Sequence, residues 1–420
     1  MRTLWTVNLI PANASAKLNI PSEALGGWVE SMAAALAETG DVELGIACKC
    51  PVGIEFCERI DGAEYYSLPY SSKTKKADLK SICKNIIEKF RPELIQIEGT
   101  EFPHAGAMLE AAKEAGIPTV VSLQGILNGQ YQYQCGGLQI DDMMFSRSAK
   151  NIAAAWILHL RKTRWYKKRL PYEAEVLSGS DHFIGRTTWD RAHAYAINPN
   201  AGYYKVNRVL RPPFYQKNWS PDKMERHSIY VGNGYYALKG VHYVIMALPQ
   251  LIREYPDVKV YVAGARPYYE GDRRPFYKKG YGLYLEKLVK DLGVKDHVVF
   301  TGSLKADEVA DMLSRVNAYV LCSAAENSPN TLGEAMIIGT PSIAAYVGGV
   351  PDMAKDGEEA LFYRNDDPAL LAWAIKRIFD DDALALSLSE KAKKRAALTH
   401  DPERNARALI GVYSSILGAK

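Results

Sequence analysis

The feature that most constrains this chain is a rhythm. Short apolar runs of strand length alternate with longer stretches of helical periodicity. Thr3–Ile10 reads as a strand, and Gly26-Gly27 then open a helix to Glu38 with Trp28, Met32, Ala35 and Leu36 on one face. Val42–Ala47, Leu94–Ile97 and Thr119–Leu123 read as further strands, separated by predicted helices over Leu79–Phe90 and Ala105–Ala115. Strands that alternate with helices in this way pair in parallel, because a parallel connection needs a crossover, and the crossover helices cover both sheet faces.

The rhythm stops and restarts. An irregular stretch begins at Arg211-Pro212-Pro213 and reaches Asp222 through Trp219-Ser220-Pro221. Predicted strands Ser228–Val231, Val258–Ala263, His297–Thr301, Ala318–Cys322 and Ser342–Ala345 follow. They alternate with predicted helices Val241–Tyr255, Tyr284–Leu292, Ala306–Ser314, Thr331–Ile338 and Ala369–Asp380. The expectation is two Rossmann-like doubly wound α/β domains, 1–212 and 213–401, facing a central cleft. Ligands of open α/β sheets bind at the carboxyl ends of the strands.

At 420 residues and 47% hydrophobic, the chain has material for two full cores without staples. Its 52 basic and 48 acidic residues balance too closely for a dedicated nucleic-acid binder. No apolar run approaches the roughly 18 residues of a membrane span. Thr6, Asn8 and Pro11 interrupt the start, which is therefore not read as a secretion signal. The six cysteines lack zinc spacing, so they are expected to be reduced thiols of a cytoplasmic protein. The acidic runs Asp141-Asp142 and Asp380-Asp381-Asp382 have no partner cluster, and no metal is assigned.

The most informative block runs from Ser323 to Met336, after a predicted strand and into a helix. Ser328 suits the N-cap and Pro329 the first helical position. The amides of Asn330, Thr331 and Leu332 would then point out of the helix start and, with its dipole, favour an anion such as a diphosphate. At about 100° per residue, Glu334 falls opposite Leu332 and is expected to face outward, while Glu326 precedes the helix in the loop. Carboxylates repel phosphate but accept hydrogen bonds from sugar hydroxyls. By spacing alone, both glutamates equally fit ordinary surface positions.

The run from Leu321 to Asp352 resembles the retaining glycosyltransferases of family 4, which have the GT-B fold. That family carries a Glu, seven residues, Glu signature in this strand–loop–helix context, then a glycine-proline turn and a Gly-Gly-apolar-Pro-acid loop. Here these are Gly339-Thr340-Pro341 and Gly348-Gly349-Val350-Pro351-Asp352. Gly26 and Gly27 look like the family's glycine-rich first loop. Gly232, Asn233 and Gly234 lead to Lys239-Gly240, where Lys239 matches the lysine that neutralises the leaving diphosphate. Asn233 stands where the family has arginine, and Gln124 where many relatives have a histidine that touches the donor sugar. Arg186 could supply the charge Asn233 lacks, or be a surface helix-start arginine. His104 is an alternative to the missing histidine, and Glu98 and Glu101 are placed to hold an acceptor hydroxyl. The segment 402–420 looks like the helix that crosses back onto the first domain.

The resemblance implies retaining, metal-independent transfer of a hexose from a nucleotide-diphosphate sugar, such as a UDP-sugar, to a carbohydrate or lipid-linked acceptor. No cofactor beyond the donor is implied. Glu334 would bind the ribose; Glu326, Asn327 and Ser328 the sugar; Lys239 with the amides of Thr331 and Leu332 the diphosphate. A leaving phosphate oxygen would take the acceptor proton, and domain closure would expel water. A non-hydrolysing nucleotide-sugar epimerase and a non-catalytic binder are the alternatives. Residues 153–170 combine an apolar turn with basic and aromatic residues, which suits peripheral contact with an anionic membrane; the other reading is a core-facing helix with a solvated basic end. Arg266–Tyr284 is expected to be an insertion near the nucleotide.

Overall fold

A computed structural model describes residues 1–20, 27–139, 149–234, 236–264 and 280–418. The chain forms two compact units. The first comprises residues 1–128, 167–211 and 399–420, and the second residues 129–166 and 212–398.

The first unit holds an eight-stranded sheet. Its strands are β1 (Arg2–Val7), β2 (Glu43–Cys50), β3 (Cys57–Ile60), β4 (Ala63–Pro69), β5 (Leu94–Glu98), β6 (Thr119–Ser122), β7 (His182–Gly185) and β8 (Gly202–Lys205). The spatial order is β3-β4-β2-β1-β5-β6-β7-β8. All neighbours pair in parallel except β3 and β4. Helices Gly27–Thr39, Lys76–Phe90 and Pro103–Glu114 are among the connections. Every residue of β5 and β6 is buried, as expected of strands covered on both faces. The β3–β4 hairpin was not anticipated. Its turn, Asp61-Gly62, has positive φ at both residues (49° and 89°), the two-residue turn that matches strand twist.

The helix Pro402–Gly418 completes this unit's core. Ala406, Leu409, Val412, Tyr413 and Ile416 pack in one apolar cluster with Trp5, Leu36 and Ile46. The buried Tyr413 hydroxyl accepts from the Trp5 indole N–H at 2.9 Å and donates to Gln96 Oε1 at 2.6 Å.

The second unit holds six parallel strands: β9 (Glu225–Val231), β10 (Lys259–Ala263), β11 (Val298–Gly302), β12 (Val316–Leu321), β13 (Ser342–Ala345) and β14 (Leu361–Tyr363). Their order is β11-β10-β9-β12-β13-β14. Counted within the sheet, that is 3-2-1-4-5-6, the order of a dinucleotide-binding fold. In the first unit β4-β2-β1-β5-β6-β7 repeats it. The two doubly wound Rossmann-like sheets are as the rhythm predicts.

Residues 129–166 cluster with the second unit, whereas the sequence placed them in the first. The side chains explain why. His242 and the Tyr243 hydroxyl both donate to the Gly136 carbonyl, at 3.1 and 2.9 Å. A β-carbon on Gly136 would lie 2.0 Å from the Ala237 carbonyl oxygen, so only glycine allows that approach.

The basic-aromatic segment lies on a longer helix, Ala149–Gly179, with Pro171 inside it. Trp156, Ile157, Leu160 and Trp165 are exposed on it. Lys162 departs from the expected basic surface: burial lowers its pKa, and its ammonium donates to the Gln134 carbonyl. Among the described residues no helix is long and apolar enough to cross a membrane. All six cysteines are free thiols; Cys48, Cys50, Cys83 and Cys322 are buried. Residues 265–279, most of the expected insertion, lie outside the described residues, and Gly280–Asp291 is helical.

Candidate functional site

In the second sheet, β9 is the switch point: chain connections diverge from it to β10 on one side and β12 on the other. Crevices at such points are where α/β sheets bind ligands. The segments that leave β9 and β12 carry the residues singled out from the sequence.

After β9, Gly232, Asn233 and Gly234 form the first loop. The Gly234 amide donates to the Ala263 carbonyl at 3.0 Å, and a β-carbon there would meet Val262 Cγ1 at 2.4 Å. Neither Gly232 nor Gly234 has positive φ, so close approach demands glycine here, not backbone conformation. The Asn233 amide oxygen lies against Gly264. A single 3₁₀ turn, Ala237–Lys239, follows and ends at Gly240, whose φ is 70°. A β-carbon on Gly240 would lie 1.8 Å from the Cys322 carbonyl oxygen. The lysine-glycine pair therefore has a backbone reason: glycine lets the lysine turn press against the end of β12. The Leu238 carbonyl accepts from the Ala324 amide at 2.8 Å, and the Cys322 thiol donates to the Lys239 carbonyl at 3.1 Å.

The loop after β12 is held from the other side as well. Asn365 donates to the carbonyls of Cys322 and Ser323, both at 3.0 Å. The Gly349 amide donates to the Glu326 carbonyl at 3.0 Å, and Gly348 (φ 50°) has no room for a β-carbon beneath that carbonyl. The Gly-Gly loop thus fixes the backbone of Glu326. With both loops fixed, the Lys239 ammonium donates to Glu326 Oε1 in a direct ion pair. The two side chains are 21% and 12% exposed. Burial opposes the lysine's charge, but Glu326 outweighs it and holds Lys239 above the usual lysine range.

The helix behind this pair runs Asn330–Ile338, and its N-cap is Pro329 with no side-chain cap. Ser328 was expected there and lies one residue outside. The Leu332 amide donates to the Pro329 carbonyl at 3.1 Å, so of the three expected outward amides it is turned back into the helix start. Thr331 faces the β9 loop: a β-carbon on Gly232 would lie 3.4 Å from its Cγ2, and its hydroxyl accepts from Tyr319 at 2.8 Å. Asn327 is buried and Ser328 and Asn330 are half-buried. Glu334 does not face outward; it is 3% exposed. The spacing misleads because Leu332 to Ile338 are all buried, so this helix has no solvent face there.

The first-unit residues sit differently. Gly26 lies outside the described residues. Gly27 begins a helix, and a β-carbon on it would meet Arg211 Cδ at 2.9 Å, so its smallness makes room for a side chain. Gln124 donates to Glu98 Oε2 at 3.0 Å, and Gln96 donates to the other Glu98 oxygen. Glu98 is 2% exposed, so its carboxylate is embedded among amides. Arg186 is not a surface arginine: it is buried, its guanidinium donates to the Leu123 carbonyl, and its amide donates to Asp190 at 2.9 Å. Burial lowers its pKa against the pull of Asp190 and Glu98. Glu101 accepts from the Thr100 amide at 3.0 Å, and burial raises its pKa. His104 is fully buried, accepts or donates at Nδ1 with the Tyr70 hydroxyl (2.8 Å), and is pushed down to about 3 by desolvation. It is neutral near pH 7. Among the described residues no group of three or more His, Cys, Asp or Glu is arranged to hold a metal ion.

Sequence reasoning missed Asn365, Gln96 and the bond from Gln124 to Glu98, since amide partners on separate strands follow no spacing. Gly136 had a signal, in the Gly136-Gly137 pair.

Comparison with known proteins bears on this geometry. The second unit's residues 213–395 match the family described as "Glycosyl transferases group 1". A D-inositol 3-phosphate glycosyltransferase of Corynebacterium urealyticum is 29% identical over 181 residues, 43% of this chain and 41% of that protein. An N-acetyl-alpha-D-glucosaminyl L-malate synthase of Bacillus anthracis is 26% identical over 253 residues, 58% of this chain and 61% of that protein. The matches thus span less than two thirds of these relatives. Among solved structures, a sucrose-phosphate synthase of Thermosynechococcus elongatus superposes with a TM-score of 0.75 at 18% identity, covering 100% of both chains. Anabaena HepE in complex with UDP and glucose gives 0.67 at 14% identity over 99% of this chain and 100% of its own. The chain therefore has the fold of these proteins, the GT-B fold of two Rossmann-like units, and its second unit matches the group 1 glycosyl transferases.

Proposed function

We propose that the chain is a retaining glycosyltransferase that moves a hexose from a nucleotide-diphosphate sugar to an acceptor hydroxyl in glycan or glycolipid synthesis. The observation that carries this reading is the Lys239–Glu326 pair, fixed by Gly240 and Gly348 at the switch point of a 3-2-1-4-5-6 sheet. The match over 213–395 and the likeness to a UDP-bound neighbour support it.

In this reading the donor's diphosphate lies against Lys239 and the start of the helix Asn330–Ile338, where the amides of Asn330 and Thr331 and the helix dipole add positive potential. Lys239 has three N–H donors, so a phosphate oxygen can join Glu326 as acceptor. Its held-up pKa keeps it charged as the leaving diphosphate gains charge, which is stabilisation aimed at the transition state. Glu326, with Asn327 and Ser328, accepts from and orients the sugar hydroxyls. Glu334 reaches the ribose from its buried position. A leaving phosphate oxygen takes the acceptor proton, so no side-chain base is needed, and lysine and amides do the work a metal would do.

The chain works in the cytoplasm at a membrane face. Trp156, Ile157, Leu160 and Trp165 are exposed beside the exposed Arg161, Arg164, Lys167 and Lys168, and no acidic residue occurs from 149 to 172. Such a helix suits anionic lipid headgroups.

Incubation with a panel of labelled nucleotide sugars and cell-derived acceptors tests the reading. Transfer with retained anomeric configuration is expected. Epimerised free donor, or binding without transfer to any acceptor, overturns it.

A further inference from the structure

The helix Ala149–Gly179 carries Glu173, which is 1% exposed. Its carboxylate holds three donors from two other segments of the first unit. Oε2 accepts from the Leu127 amide at 2.8 Å and from the Thr100 hydroxyl at 3.2 Å, and Oε1 accepts from the Asn128 amide at 2.8 Å. Among the described residues no cation offsets its charge: burial raises its pKa, the two amides and Thr100 oppose that, and Glu101 adds a like charge. A buried charge without a cation is costly. A carboxylate has one property that no neutral side chain matches, two acceptor oxygens on one carbon. Both are used here, since the donors divide between them. Glutamine would turn one oxygen into a donor and set N–H against N–H.

The carboxylate fixes the turn after β6. Leu127 and Asn128 open the short helix Leu127–Gln130, and Ile126 before it is buried and apolar and offers no local acceptor. At the other end of the turn, the Leu123 amide donates to the Ile184 carbonyl at 2.8 Å, and the Leu123 carbonyl accepts from Arg186. Gln124, Gly125 and Ile126 are therefore gripped from both sides. Thr100 ties the segment after β5 to the same carboxylate, and the Gly99 amide donates to the Ser122 carbonyl at 3.0 Å. Both segments leave the carboxyl ends of paired strands, where α/β sheets bind their ligands. Asn128 is also the last residue before the chain passes to the second unit. A clamp that only closed the first unit would need no particular placing of Gln124, and the two roles differ in what they do to the reaction.

We propose that Glu173 is a positioning residue for sugar transfer: by clamping the amides of Leu127 and Asn128 it holds Gln124 where that side chain orients the transferred sugar. The role in transfer rests on the glycosyltransferase reading above; the hold on the turn does not.

The test compares the full wild-type chain with Glu173→Gln, Gln124→Ala and the double variant. Hydrogen exchange of the Leu127 and Asn128 amides, followed by NMR, reads the clamp directly. Exchange at these two amides is expected to be about tenfold or more faster in Glu173→Gln, with the amides of β1 and β5 unchanged. Turnover of a labelled nucleotide sugar is expected to fall about tenfold or more, while UDP affinity, measured by calorimetry on the same samples, stays unchanged. The double variant is expected to lose no more turnover than Gln124→Ala alone, because both changes act through one side chain. Losses that multiply in the double variant make Glu173 a general structural residue and overturn the proposal, as does unchanged exchange at 127 and 128. Should Glu173→Gln not fold, Thr100→Val, which removes one donor and leaves the carboxylate, enters the same cycle with an expected loss of about threefold. Faster exchange at the two amides in a protein whose wild type transfers no sugar removes the glycosyltransferase reading and leaves Glu173 as a clamp alone.

Discussion

The two sheets share a strand order but treat charge at the carboxyl ends of their strands in opposite ways. In the second unit, Lys239 and Glu326 meet because backbone brings them together: Gly240 lies against the Cys322 carbonyl and Gly348 against that of Glu326. The pair is partly exposed and keeps unused hydrogen-bonding capacity. In the first unit, Glu98 ends β5 and accepts from two side-chain amides, while Arg186 follows β7 and its buried guanidinium donates to a carbonyl. The same architecture thus leaves one charge pair partly exposed and buries the other charges in the core. A charge fixed by backbone can stay available, whereas a charge fixed by its neighbours' side chains is spent on structure.

That contrast can be broken by substitution. The largest effect is expected from Glu326→Ala, which should abolish transfer while nucleoside diphosphate affinity, measured by calorimetry, stays largely intact. Equal loss of both would remove Glu326 from the sugar site. Lys239→Ala should cut turnover about a hundredfold or more, as loss of a charge stabiliser does. Near-normal steady-state rates would put the diphosphate elsewhere. Gly240→Ala should destabilise the second unit by about 3 kcal/mol, because it adds a carbonyl clash to a left-handed φ. Thermal unfolding would show this as a fall in the second unit's midpoint. Arg186→Gln should cost about 1–3 kcal/mol in the first unit and leave UDP affinity unchanged. A large loss of UDP binding with normal stability would contradict its structural assignment.

Titration probes the same comparison without a substitution. His104 in the first unit is held at about 3 and His242 in the second at about 4, both by desolvation. Unfolded imidazoles protonate near pH 6.5, so below that pH the unfolded chain binds more protons than the folded one. Stability should therefore fall as pH drops from about 6.5 toward 4, by at most about 1.4 kcal/mol per pH unit per histidine. Denaturant melts at pH 7 and 5 measure it, and His104→Gln should flatten the slope in the first unit alone.

The same division governs how much could be read from residues. The sheets were legible because Leu94–Ile97, Thr119–Leu123 and Ala318–Cys322 are apolar runs between helical patterns, and strands buried on both faces must look like that. Lys239 and Glu326 were singled out through the resemblance, and the glycines that belong to its motifs are the close approaches that bring the two side chains together. The pairing of Glu98 with Gln96 and Gln124 was not, because amide partners come from separate strands and follow no spacing. Glu334 was misplaced because periodicity reports a polar face only where a helix has one. The β3–β4 hairpin was overlooked although Asp61-Gly62 is a turn signal, since the strands beside it are short and partly polar.

The bond between Trp5 and Tyr413 has a bearing on how the molecule comes into being. A ribosome releases the first strand some four hundred residues before the helix that completes its core. The opening segment must therefore wait, incompletely covered, while everything between is synthesised. The second unit closes at residue 398, so a released chain truncated before Pro402 should hold a finished second unit and an unfinished first.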